Sequence, residues 1–463
     1  MKKNMINGLE AGKNFTFNKK TSRWRQIVSI AIVVMFIACS IGIANTIMIK
    51  DDDGDGVLEI SGGISYDSID ADIVVYVADD GEYVAVNRSG TILKDENFVD
   101  VLHAGFSSLT ISSAISNMGR NRIIRVIGDI SFNKSIYIGH PYFNENRVNI
   151  VLDLYGANLS LDSTATDNIP AWGGVIYINT SYITILGGVI NGNDVGTGYD
   201  GIRIVNCLSD GKLQNSIVDT LIYQFSYTGI KGTTSNVRRW YFENVQVKYC
   251  GGDGFSIPGT DNTYVRCIAY HNGDKGFNNI GSWNQLISCV ADGNDAHGIL
   301  FYENSYGQIV SGGYSEYNGK NGIGIYENQH NIKIDGMHIL ENGKESTGND
   351  CYGIYVNGSS NNITICNIYA VDDGVINQSY AVGLGNLSFD CVVYDIDGSE
   401  NDNKGVEDKG VRNIFNGVSY NDGTPGSAGN WVSFTKEGVF VWDDSNSKFY
   451  VYCSSSWNEI TLT

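Results

Sequence analysis

The sequence predicts an all-β fold, a right-handed parallel β-helix, with an apolar N-terminal segment before it and a small antiparallel β module after it. Three observations carry the prediction. A glycine followed by an apolar residue recurs at Gly201, Gly229, Gly254, Gly276, Gly298, Gly322, Gly353 and Gly383, at intervals of 28, 25, 22, 22, 24, 31 and 30 residues. A period in the low twenties without helical patterning is what one coil of a parallel β-solenoid needs. The composition agrees, because 56 glycines against 4 prolines suit many short strands joined by tight turns. Two more columns run in phase with the glycines. Cys250, Asn272, Asn294 and Asn318 stand four residues before them, and Asn244, Cys267, Cys289, Gly312, Gly336 and Cys366 follow the second strand of each coil. Both columns hold residues that are small or tolerate a left-handed backbone, as corners demand. Stacked asparagines also suit hydrogen-bonded ladders from coil to coil.

The elements follow in order. Residues 1–26 form a basic segment with a net charge of +6. Residues 27–49 are uncharged and long enough to cross a bilayer, as a transmembrane anchor or a signal. Basic sequence before and Asp51-Asp52-Asp53 after predict a cytoplasmic N-terminus and an exported body. That implies a single-pass protein at the cell surface. Cleavage after Ala44 would make it secreted, and Phe36-Ile37-Ala38-Cys39 has the look of a lipobox. Residues 50–100 read as a β adapter, with a hairpin turning at Asp79-Asp80-Gly81. The β-helix is expected over 101–400, with Thr110–Met118 as a short helix covering its open end. Residues 401–410 read as a linker and 411–463 as the C-terminal module, whose strands alternate around a turn at 443–447.

Charge narrows the partners. Removing the +6 of the N-terminal segment from the total of −20 leaves −26 for the body. Such a body does not bind nucleic acid through phosphates, and it repels polyanionic glycans unless cations bridge them. Neutral glycans and cell-envelope polymers are the easier partners, and a homo-oligomer stays open.

The glycine and asparagine columns resemble the pectin-lyase-like right-handed β-helix superfamily over about two thirds of the chain. That superfamily includes pectate lyases, polygalacturonases, phage tailspikes and surface proteins without known activity, so the fold leaves function open. Three adjacent coils carry Asp253, Asp274 and His297, and Asn331-Ile332-Lys333 follows. Similarity to polygalacturonases implies Asp253 as the base activating water, Asp274 as the acid, and His297 and Lys333 as orienting groups. An inverting hydrolase needs such a carboxyl pair. Three departures weaken the match: Lys275 replaces a second aspartate, Asn331 an arginine, and Gly251-Gly252 an Asn-Thr pair.

Two other patterns stand out. Tyr302-Glu303 and Tyr326-Glu327 repeat in equal register, which suits a glycan platform, a close carboxylate pair, or a solvated turn. Asp51, Asp53 and Asp55 match the first half of a calcium loop, but its twelfth position is Gly62, so calcium is an optional ligand and no cofactor is required. The nine cysteines read as buried fillers more than as disulfides. Two functions follow as expectations: a membrane-anchored surface protein that binds glycans or serves as an envelope or adhesion component, or a polysaccharide-degrading hydrolase.

Overall fold

The computed structural model describes most of residues 71–420 and the strands at 49–50, 59–60, 440–443, 448–453 and 456–460. Stretches such as 110–121, 140–149, 206–214, 345–350, 373–377 and 421–439 lie outside the described residues. The chain divides into two units, 1–70 and 71–463. In the first, Ile49–Lys50 pairs antiparallel with Glu59–Ile60.

The expected placement at a cell surface on a membrane anchor is overturned. Among the described residues no helix is long and apolar enough to cross a membrane. Ile49, the last residue of the apolar run, stands in a strand whose partner is Ile60, not in a helix that satisfies its own backbone. Residues 27–48 of that run lie outside the described residues, as do the expected helix at Thr110–Met118 and the calcium-loop residues Asp51, Asp53 and Asp55.

The second unit is a parallel β-solenoid. Among the described residues, each coil contributes one short strand to an eleven-stranded sheet and returns through a longer sheet of 25 strands. The short sheet keeps one register through successive coils, in which Phe255 pairs with Phe277, Phe277 with Ile299, Ile299 with Ile323 and Ile323 with Ile354. These side chains face inward and are almost wholly buried. Phe255 and Phe277 stack with centroids 4.8 Å apart and planes within 5°.

The glycine column has a physical cause in this stacking. A Cβ on Gly254, Gly276 or Gly298 would stand 2.7, 2.6 or 2.7 Å from the carbonyl oxygen of the next glycine in the column. That oxygen accepts from the residue after the first glycine, as in Phe277 N to Gly298 O at 2.9 Å. Only glycine allows the coils to close to hydrogen-bond distance there.

The asparagine column forms the ladder expected of it. Asn272 donates to Asn294, Asn294 to Asn318 and Asn318 to Asn342, at 2.9, 2.9 and 2.8 Å, all buried. Gln378 and Asn401 continue it. A second ladder went unread in the sequence: Asn262, Asn284 and Gln308 each accept from a backbone N–H one coil below. The third sequence column mixes neighbouring positions. The left-handed corner is held by Asn244, Arg266, Ser288, Gly312, Gly336 and Asn367. Cys267 and Cys289 lie one residue later and Cys366 one residue earlier, all buried in the core as free thiols.

The ends are closed differently. Ile73–Val77 and Tyr83–Asn87 form the expected hairpin, and the first of these strands also pairs parallel with Arg122–Val126 of the opening coil. A helix at Phe98–Ser108, capped by the Asn97 side chain, buries Phe98, Leu102 and Phe106 over the open end. At the far end Phe440–Asp443, Lys448–Cys453 and Ser456–Ile460 run antiparallel, and the first pairs parallel with Ile414–Tyr420 of the solenoid sheet.

Candidate functional site

The outer side of the short sheet carries a cavity of about 410 Å³ between the turns that enter and leave the strands. On the entering side the residue just before each column glycine forms its own row: Asp253, Lys275, His297 and Asn321. The carbonyls of Lys275, His297 and Asn321 accept from Gly254, Gly276 and Gly298. One residue earlier, Asp274, Ala296 and Lys320 form the outer row, joined by Ala296 N to Asp274 O and Lys320 N to Ala296 O.

This register corrects the pairing of Asp253 with Asp274. They are 21 residues apart where the coil repeats every 22, so they fall in different rows. Asp253 is 9% exposed and accepts from the Lys275 backbone N–H at 3.2 Å and from Asn278 Nδ2 at 2.8 Å. Asp274 turns outward, its side chain 45% exposed. Lys275 Nζ lies 2.6 Å from Asp274 and 3.5 Å from Asp253, so one cation serves both carboxylates. Burial pulls the Lys275 ammonium down, but the two carboxylates outweigh it and hold it above its ordinary value.

His297 forms the back of the cavity. Burial pushes its imidazole down to about 4, with Lys320 and Lys275 adding to the effect, so the ring is neutral at pH 7. Its Nδ1 is buried without a hydrogen-bond partner. The Tyr326 ring stands 5.6 Å away, and its hydroxyl accepts from Asn321 Nδ2 at 3.0 Å. Burial raises the Tyr326 phenol. Gly324 makes room for this contact, because a Cβ there would meet the Tyr326 ring at 2.6 Å and His297 Nδ1 at 3.3 Å. Leu300, its register partner, faces the same cavity.

The leaving side contributes Tyr302, Glu327, Asn357 and Gly358. Glu303 and Glu327 share a left-handed turn position, with φ of 63° and 57°. The hydrogen bond to Glu327 raises the Tyr302 phenol. Tyr302 and Tyr326 make no ring contact with each other; Tyr326 packs instead between His297 and Tyr355, the latter 5.8 Å away.

Five of the expected residues therefore line one cavity: Asp274, His297, Tyr302, Tyr326 and Glu327. Asp253 sits beneath it, and Glu303 is exposed outside its lining. Lys333 is on the other sheet, paired with Ile309 and bound to Asp335 at 2.7 Å, so it has no place among the orienting groups. Sequence reasoning passed over Lys320, Leu300 and Asn357, and noted Lys275 only as a departure. The row rule, one or two residues before the glycine, would have found both lysines. Among the described residues no cluster of three or more acidic, histidine or cysteine side chains is arranged to hold a metal.

No protein-family model matches the chain, and no curated protein matches it. Solved structures do. The A-module of a mannuronan C-5 epimerase from Azotobacter vinelandii is 12% identical, with a TM-score of 0.45, over 68% of this chain and 95% of the other. Tailspike protein 2 of an Escherichia coli bacteriophage is 14% identical, with a TM-score of 0.49, over 71% of this chain and 46% of the tailspike. The catalytic domain of an alpha-1,3-glucanase, solved with tetrasaccharides, is 13% identical, with a TM-score of 0.44, over 71% and 68%. The coil-on-coil registers of both sheets give this chain a parallel β-helix architecture.

Proposed function

We propose that the protein is a glycan-binding β-helix protein and that the cavity at His297 holds a sugar unit of a polysaccharide. The observation that carries this reading is the lining itself, in which Tyr302 and Tyr326 stand among Lys320, Asp274, Glu327 and Asn357. Sugars offer an apolar C–H face and a rim of hydroxyls, and a concave site that joins aromatic rings to a few polar groups suits both. The neutral imidazole of His297 adds an uncharged ring to the lining.

Binding is favoured over hydrolysis by the state of the carboxylates. A hydrolase of the polygalacturonase kind needs two carboxyls flanking the scissile bond. Asp253 is instead engaged by Asn278 and the Lys275 backbone, and Lys275 spans both acids.

The test is isothermal titration of the full chain with a panel of oligosaccharides, alongside Tyr326→Ala and Lys320→Ala. The expected result is binding of at least one sugar, weakened about tenfold by Tyr326→Ala, as for a buried aromatic anchor. No binding across the panel would sink the reading. Reducing ends released by the native chain, and lost in Asp274→Asn, would replace it with the hydrolase.

A further inference from the structure

The longer sheet carries a second candidate surface, none of whose residues lines the cavity. Tyr314, His338 and Tyr369 face outward in register on three successive coils. Their ring centroids are 5.1 and 5.5 Å apart, with planes tilted by 42° and 57°. Register-paired rings in the core lie nearly parallel, as Phe242 and Tyr264 or Phe255 and Phe277 do. The outer rings are not packed face on face, and Tyr314 and Tyr369 remain 45% and 41% exposed. Beside Tyr314 and His338 the corner is bare backbone, and beside Tyr369 it is Asn367. An added Cβ would find its nearest atom 3.5 Å away at Gly312 and 3.8 Å away at Gly336. The result is a wall of amphipathic rings along an open shelf.

The chemistry of the row selects its occupant. Tyrosine and histidine rings offer apolar faces with polar edges, which match the C–H face and hydroxyl rim of a sugar. The row rises by one inter-strand spacing per coil, about 4.8 Å, close to the length of one hexose in an extended chain. An extended peptide advances about 3.3 Å per residue and turns alternate side chains away, so it does not keep step. Charge disfavours two more candidates. Asp397 continues the row beyond Tyr369, and the body carries −26, so both a polyanion and a second copy of this chain are repelled.

We propose that this ladder is a second carbohydrate-binding surface, taking a neutral polysaccharide along the solenoid axis with a sugar over each ring. It stands whether or not the cavity holds sugar.

Affinity electrophoresis of the full chain through gels containing dextran, a mixed-linkage β-glucan or a mannan tests it, with polygalacturonate as the polyanion control. At least one neutral polymer should retard the native chain. The Tyr314→Ala/Tyr369→Ala double variant should lose about tenfold or more in affinity, as hot-spot aromatics do. The same loss should appear in a Tyr326→Ala background, which separates the ladder from the cavity. On the native chain, the bound polymer should protect Tyr314 and Tyr369 from nitration, a readout that does not depend on folding of a variant. The proposal fails if no neutral polymer retards the chain, or if the double variant binds as the native chain does. It also fails if sedimentation shows a dimer that the double variant dissolves.

Discussion

Lys275 decides what the two aspartates can do. Its removal leaves Asp253 almost buried with one charge partner gone, whereas Asp274 keeps its access to water. Lys275→Met is expected to destabilise the fold by about 1–3 kcal/mol, and Asp274→Asn by less than about 1 kcal/mol; urea titration compares them. Two other buried groups make stability depend on pH with opposite signs. His297 is held at about 4, below the ordinary ~6.5. As pH falls the unfolded chain takes up the proton first, so stability is full above ~6.5 and declines towards about 4. Burial outweighs Lys231 and Arg203 and lifts Asp200 from 3.8 to about 6, so its ionisation costs stability as pH rises through that window. Melting curves from pH 4 to 7 should rise less steeply for His297→Gln than for the native chain, and more steeply for Asp200→Asn. Equal slopes in all three would contradict the assignment.

At the scale of the element, the coil is held by columns whose spacing is visible in the sequence and whose geometry is not. Asn294 accepts from Asn272 and donates to Asn318 and to the Ala269 carbonyl, all within the buried ladder. Asn294→Leu should cost about 2 kcal/mol or more by leaving those groups unpaired. Gly276→Ala places a Cβ 2.6 Å from a backbone oxygen and should cost about 1–3 kcal/mol through forced separation of coils. Gly312→Ala, in an open corner at φ +65°, should cost about 1 kcal/mol, from backbone conformation alone. Thermal melts of the two glycine variants distinguish close approach from left-handed strain. The sequence shows both glycines in columns but cannot tell these causes apart. It also assigned Cys267 and Cys289 to the corner, because Arg266 and Ser288 do not look like residues of a left-handed position.

For the whole molecule, charge is the dominant property. A body of −26 should bind neutral polysaccharides with an affinity nearly unchanged between roughly 0.05 and 0.5 M salt. Any binding of a polyanion should strengthen as salt screens the repulsion. Gel retardation at the two salt levels checks both, and a steep loss of neutral-glycan binding in salt would show that charge carries the contact.

The sequence by itself determined the solenoid. A coil that must lie on its neighbour repeats the same steric and hydrogen-bonding demands, and those demands recur as Gly254, Gly276, Gly298 and as Asn272, Asn294, Asn318. It also placed Asp274, His297, Tyr302, Tyr326 and Glu327 on neighbouring coils, where one cavity gathers them. Only the tertiary structure decided which of the acids reaches that cavity. A one-residue difference in register put Asp253 under Lys275 and left Asp274 in the open; the spacing of 21 against a coil of 22 shows the offset, but not which of the two positions is buried. The same holds for Lys333, sent to the opposite sheet, and for the row Tyr314, His338 and Tyr369, which is scattered in sequence and continuous only once the coils are stacked.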